Sequence, residues 1–122
     1  MIPAFNTDGN LPSGIHLASW GEVSARFGTT QHRQRLLGGL SAALTVFRTA
    51  GCKRVYLDGS FVTNKRVPQD YDALWEPANV DVAHVLKLEP VFGIFDNGRA
   101  AQKAKYLGEF FPADLTETLA GC

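Results

Sequence analysis

Gly59-Ser60 and, after a gap of nine residues, Asp70-Tyr71-Asp72 are the positions in this 122-residue chain whose types and spacing suit a chemical task. In a β-strand, residues i and i+2 project to the same face, so Asp70 and Asp72 on a strand stand side by side. Two adjacent carboxylates repel, and one of them becomes a weaker acid unless a cation sits between them. Hard divalent ions take oxygen ligands, and Mg²⁺ in particular uses one or two carboxylates together with substrate phosphates; Mn²⁺ is the natural substitute. Gly59 permits a close backbone approach. A helix opening at Ser60 would offer free N–H groups and a hydroxyl to phosphate oxygens. Paired metals about 3.5–4 Å apart would then activate an attacking oxygen and stabilise a leaving one. The plain alternative is a turn followed by the wet face of an edge strand.

The surrounding pattern supplies elements to position these residues. Residues 1–18 carry Pro3, Gly9, Pro12 and Gly14 and read as an irregular lead segment, with one domain over residues 19–122. Ser19 and Glu22 have capping-box spacing and start a short helix that Gly28 ends. Thr29 or Thr30 caps a longer helix to about Ala50, in which Leu36, Leu40, Ala43, Leu44 and Phe47 recur at helical spacing. Gly38 and Gly39 weaken it by about 1 kcal/mol each relative to Ala, which a close packing contact would explain. Lys53 to Leu57 is short, β-branched and aromatic, and predicts a first strand leading into the Asp58–Asn64 turn. Asp70 to Trp75 predicts a second strand, and Asn79 or Asp81 caps a helix to about Leu88. Val91 to Phe95 predicts a third strand, Arg99 to Phe110 a last helix interrupted at Gly108, and Pro112 onward a tail. The fold class is mixed α/β, with a small sheet of three or more strands flanked by helices.

Composition removes several classes of function. Twelve Lys and Arg balance twelve Asp and Glu, so no basic field holds nucleic acid non-specifically. Two cysteines draw no disulfide framework, and Cys52 reads as a small buried residue beside a strand. The first fifteen residues lack a basic start and an apolar run, so no secretory signal is visible. The longest uncharged apolar stretch, Leu36 to Phe47, falls short of the roughly 20 residues that span a bilayer. The expected location is the cytoplasm, with no membrane partner. The zero charge nonetheless hides a pattern. Lys53, Arg54, Lys65 and Arg66 precede a run containing Asp70, Asp72, Glu76, Asp81, Glu89 and Asp96, and Arg99, Lys103 and Lys105 follow it. This arrangement suits a metal-bound phosphate, or else an ordinary solvated surface.

Tyr56 to Trp75, YLDGSFVTNKRVPQDYDALW, resembles the signature of the minimal nucleotidyltransferases of the DNA polymerase β superfamily. Their pattern is Gly followed by Gly or Ser, a gap, then acid–x–acid on a strand. The wording Gly-Ser-Phe-Val-Thr and the closing Phe-Pro-Ala look like a little-described bacterial branch. The resemblance implies metal-binding carboxylates at Asp70 and Asp72 and phosphate contacts at Gly59 and Ser60. It also implies transfer of a nucleoside monophosphate from an NTP, ATP first, with loss of pyrophosphate. A third carboxylate comes from a later strand in this family. Asp96, at the end of the apolar run Val91 to Phe95, is the candidate metal ligand and the group that would help deprotonate the acceptor hydroxyl, unless it belongs to an Asp-Asn-Gly turn. Asp58 departs from the pattern, which has an apolar residue before the glycine.

Lys65 and Arg66 lie between the two motif halves, where they either approach a triphosphate or face solvent. Tyr71 points away from the aspartates into the core, and Phe61 and Trp75 read as packing residues more than as a base platform. His16, His32 and His84 show no ligand spacing. Small free-standing members of this family often belong to bacterial toxin–antitoxin pairs and modify a protein or an RNA. The expected partners are therefore an NTP, a protein or RNA acceptor, and a cognate toxin or antitoxin, with a homodimer or partner chain presenting the acceptor. The competing reading is a nucleotidyltransferase-fold module that binds and neutralises a partner protein without catalysis.

Overall fold

The computed structural model describes residues 1–113. Helix α1 (Trp20–Phe27) opens on the capping box: the Ser19 hydroxyl accepts from the Glu22 N–H at 3.2 Å, and Glu22 accepts from the Ser19 N–H at 3.2 Å. Helix α2 (Gln31–Thr49) is capped by the Thr30 hydroxyl, which accepts from the Arg33 N–H at 3.1 Å. Its apolar face buries Leu36, Leu40, Ala43 and Phe47, as the spacing predicts. Gly39 has a packing reason, because a Cβ there would lie 2.1 Å from the Tyr106 carbonyl oxygen, whereas Gly38 faces open space.

Strand β1 (Val55–Asp58) pairs antiparallel with β2 (Tyr71–Trp75), and β2 pairs parallel with β3 (Gly108–Pro112), in the order β1-β2-β3. This is a mixed α/β fold, with a three-stranded sheet among the described residues. Between β2 and β3 lie α3 (Val82–Leu88), capped by Asp81, a 3-10 turn at Pro90–Gly93, and α4 (Asp96–Tyr106). The core face of the sheet is aromatic. Phe47 of α2 packs on Trp75, Phe92 and Phe110, and Phe61 packs on Tyr71. Phe61 and Trp75 are thus packing residues, and Tyr71 is buried with its hydroxyl donating to the Tyr106 carbonyl at 2.7 Å. Residues 1–18 form no helix or strand, but Ile2, Phe5 and Leu11 pack against the core, and Arg26 donates to the Ile2 and Pro3 carbonyls.

Two expected elements are corrected. Val91–Phe95 is not a strand. Pro90 at the first position of the turn fixes φ and has no N–H to give a ladder, and consecutive Val91 and Phe92 are both buried, a pattern no half-exposed strand shows. The third strand comes instead from residues expected to end the last helix. Leu107 adopts a left-handed conformation (φ +68°) that stops α4, and the chain then alternates with Gly108 and Phe110 inward. Asn97, Gly98 and Arg99 also have positive φ, so the Asp-Asn-Gly segment is a turn in front of the regular part of α4. Of the expected tail, residues 114–122 lie outside the described residues. Among the described residues no helix is long and apolar enough to cross a membrane.

Candidate functional site

The register of the sheet determines which acids meet. Asp58 lies opposite Asp72 across the β1–β2 pair, and Asp72 lies opposite Glu109 across the β2–β3 pair, so all three share the face turned away from the aromatic core. Asp70, two residues before Asp72, joins them from the entry to β2. Ligand oxygens of Asp70, Asp72 and Glu109 come within 4.8 Å of one another.

The turn after β1 is built against this cluster. Gly59 has φ +84°, a conformation that strains any side-chain-bearing residue, and a Cβ there would lie 2.9 Å from Asp72 Oδ2. Its N–H donates to Asp58 Oδ1 at 2.8 Å. The turn continues as the 3-10 segment Ser60–Val62, held by Val62 N–H to the Gly59 carbonyl and Thr63 N–H to the Ser60 carbonyl, both at 3.2 Å. Ser60 is half-buried. From the core side Arg33, 3% exposed, grips the same loop. Its guanidinium donates to the carbonyls of Phe61 (2.7 Å), Thr63 (2.8 Å), Lys65 (2.5 Å) and Phe27 (3.3 Å).

Electrostatics follow from this crowding. Burial, with Glu109, Asp70 and Asp58 adding like charge, pushes the Asp72 carboxyl up to about 6. Burial also raises Asp70, against the pull of Lys103. Lys103 of α4 supplies the chain's own counter-charge: its Nζ stands 3.2 Å from Glu109 Oε1 and 3.8 Å from Asp70 Oδ2, and its pKa rises, chiefly through Glu109. The donor set is three carboxylates and no nitrogen or sulfur ligand, which fits a hard cation such as Mg²⁺ or Mn²⁺ and not a soft one.

The structure therefore brings Asp70, Asp72, Gly59 and Ser60 together and leaves Asp96 out. Asp96 is exposed at the start of α4, because the strand expected to aim it at the pair does not exist. Glu109 takes the third place. The paired aromatics Phe110-Phe111 and Pro112 after Gly108 hint at an extended segment there, but which face Glu109 takes follows from the turn at Leu107. Lys65 and Arg66 line a cavity of about 340 Å³ beside Arg26 and Arg33. None of the acids lines the larger cavity, about 700 Å³ between α1, α2 and β1, whose floor includes Leu40, Leu44 and Phe47.

The model of a family of unknown function (DUF6932) matches residues 3–119, and the chain belongs to that family. No curated protein and no solved structure matches it.

Proposed function

We propose that this DUF6932 family member is a metal-dependent nucleotidyltransferase that moves a nucleoside monophosphate from an NTP, ATP first, to a protein or RNA hydroxyl. The observation that carries the reading is the convergence of Asp70, Asp72 and Glu109 on one sheet face, against a positive-φ glycine that opens a short turn. Family membership adds no activity to it, so the reading rests on the site.

In the proposed reaction, the acceptor oxygen forms a bond to the α-phosphorus as the bond from that phosphorus to the bridging oxygen breaks. Pyrophosphate leaves, and the acceptor proton passes to a carboxylate. Glu109, at the edge of the cluster on β3, is the proton acceptor in this scheme, the role expected of Asp96. Asp70, Asp72 and Glu109 would hold Mg²⁺ or Mn²⁺, which when bound neutralises charge on the phosphates and polarises the reacting oxygens. The Gly59 backbone lies beside Asp72, and with the Ser60 hydroxyl that follows it would orient the phosphate chain. Arg33 keeps that turn in register from below, so that reactants meet in a preset geometry. Cytoplasmic residence suits such a reaction, since NTP and acceptor meet there. A cognate toxin or antitoxin is the favoured partner, a choice that follows from the resemblance to the small nucleotidyltransferases.

The test is incubation with Mg²⁺ and α-labelled NTPs, alone and with lysate protein and RNA. Label transfer is expected, lost in Asp70→Asn, Asp72→Asn and Glu109→Gln and retained in Asp96→Asn. Transfer that survives Asp72→Asn and Glu109→Gln sinks the assignment. One observation favours a second reading, a non-catalytic module that neutralises a partner by contact: Lys103 already balances Asp70 and Glu109. That reading predicts no label transfer and equal partner binding by the wild type and the carboxylate variants.

A further inference from the structure

The cavity of about 340 Å³ near the start of α2 is lined by four basic residues, Arg26, Arg33, Lys65 and Arg66, and by no acidic residue. In a chain whose charges sum to zero, this is a local excess. Two of the four are committed to main-chain carbonyls. Arg33 gives its donors to four of them, and Arg26 gives its own to Ile2 and Pro3. Carbonyl dipoles solvate these guanidinium groups but leave their charge uncancelled, and among the described residues neither makes an ion pair. A charge as buried as Arg33 ordinarily has an opposite charge nearby.

The other two are differently placed. Lys65 and Arg66 are exposed, and among the described residues neither is ion-paired, in contrast to Lys103 and Lys105, which both pair with acids. Thr29 and Thr30 share the lining, and the Thr30 hydroxyl, which accepts from the Arg33 N–H, keeps its own O–H to donate. The cavity thus combines guanidinium charge held by main-chain carbonyls with exposed basic residues. Several positive charges around one small volume match a multiply charged oxyanion better than a single carboxylate.

We infer that this cavity binds a phosphate group, its oxygens met by Lys65, Arg66 and the two threonine hydroxyls in the field of Arg26 and Arg33. The inference needs neither the acidic cluster nor a divalent cation. It therefore stands or falls separately from nucleotidyl transfer. Two sources share the chemistry: the polyphosphate of an NTP, or a phosphate carried by a different ligand.

The full chain is titrated with sodium pyrophosphate in EDTA, followed by amide chemical shifts and calorimetry. Saturable binding is expected, with shifts at Thr29, Thr30 and Lys65. It should weaken with added salt, fall at least about tenfold in Lys65→Gln/Arg66→Gln, and persist in Asp72→Asn. Absence of saturable binding up to about 10 mM, or an affinity unchanged in the double variant, overturns the inference. With pyrophosphate bound, ATP is then added in EDTA. Competition assigns the cavity to the NTP tail, and simultaneous binding assigns it to a second phosphate ligand; either outcome upholds phosphate recognition.

Discussion

Replacing Asp72 by Asn should make the protein more stable at neutral pH in the absence of divalent cations. The folded state holds the Asp72 proton up to about pH 6, against an ordinary value of 3.8, so between those two values the folded chain binds more protons than the unfolded one. Stability attributable to this group is therefore greatest at low pH and is lost as pH rises through 6. The full displacement corresponds to about 3 kcal/mol for a shielded carboxylate, and solvent screening at this half-buried side chain reduces it to about 1–1.5 kcal/mol. For a domain of this size that is a rise in Tm of about 5 °C for Asp72→Asn at pH 7.5 in EDTA. The gap should close near pH 4, where the wild-type carboxyl is protonated too. Mg²⁺ should raise the wild-type Tm and leave that of Asp72→Asn unmoved, since a cation at tenfold its Kd stabilises by about 1.4 kcal/mol. Thermal melts over a pH series, with EDTA or Mg²⁺, make the measurement. A variant that melts at or below the wild type at pH 7.5 in EDTA would refute the claim that the acids are crowded at a cost to the fold.

Further outcomes concern the glycines. Gly38→Ala should stabilise by about 0.5–1 kcal/mol in urea unfolding, because it faces open space inside α2. Gly39→Ala should destabilise by about 1–3 kcal/mol, because the added methyl meets the Tyr106 carbonyl. Gly59→Ala should cost about 1–2 kcal/mol of backbone strain and, by pressing on Asp72, lower Mg²⁺ affinity in the same melts, an effect that a strained but uninvolved turn would not produce.

Local chemistry made much of the fold readable. The Ser19–Glu22 capping box, the Leu36/Leu40/Ala43/Phe47 stripe and the short β-branched run before Gly59 each declare their element from neighbouring residues alone. Asp70 and Asp72 were legible for the same reason, since the period of two puts them on one face. The third acid was not. Val91–Phe95 is apolar enough for a strand, and only the aromatic cluster around Phe47 shows that Val91 and Phe92 are both swallowed by the core. Glu109 depends on Leu107 taking a left-handed conformation without being a glycine, and on Gly108 admitting the Tyr71 ring. Both conditions are tertiary. Arg33 was hidden likewise: along the chain it is one base among His32, Arg33 and Arg35, and only folding carries it under the loop after Ser60.

The parallel pairing of β2 with β3 also sets an order of assembly. Asp58 and Asp72 are brought together by strands that are close neighbours along the chain, so their contact closes early and at low entropic cost. Glu109 joins only after α3, the turn at Pro90 and α4 have been laid down and docked, the slow long-range step of this topology. A chain lacking β3 would hold Asp70 and Asp72 of the possible metal ligands and not Glu109. Under the proposed transfer, the polypeptide stays inert until β3 closes against β2, and that closure is itself the step that arms the site.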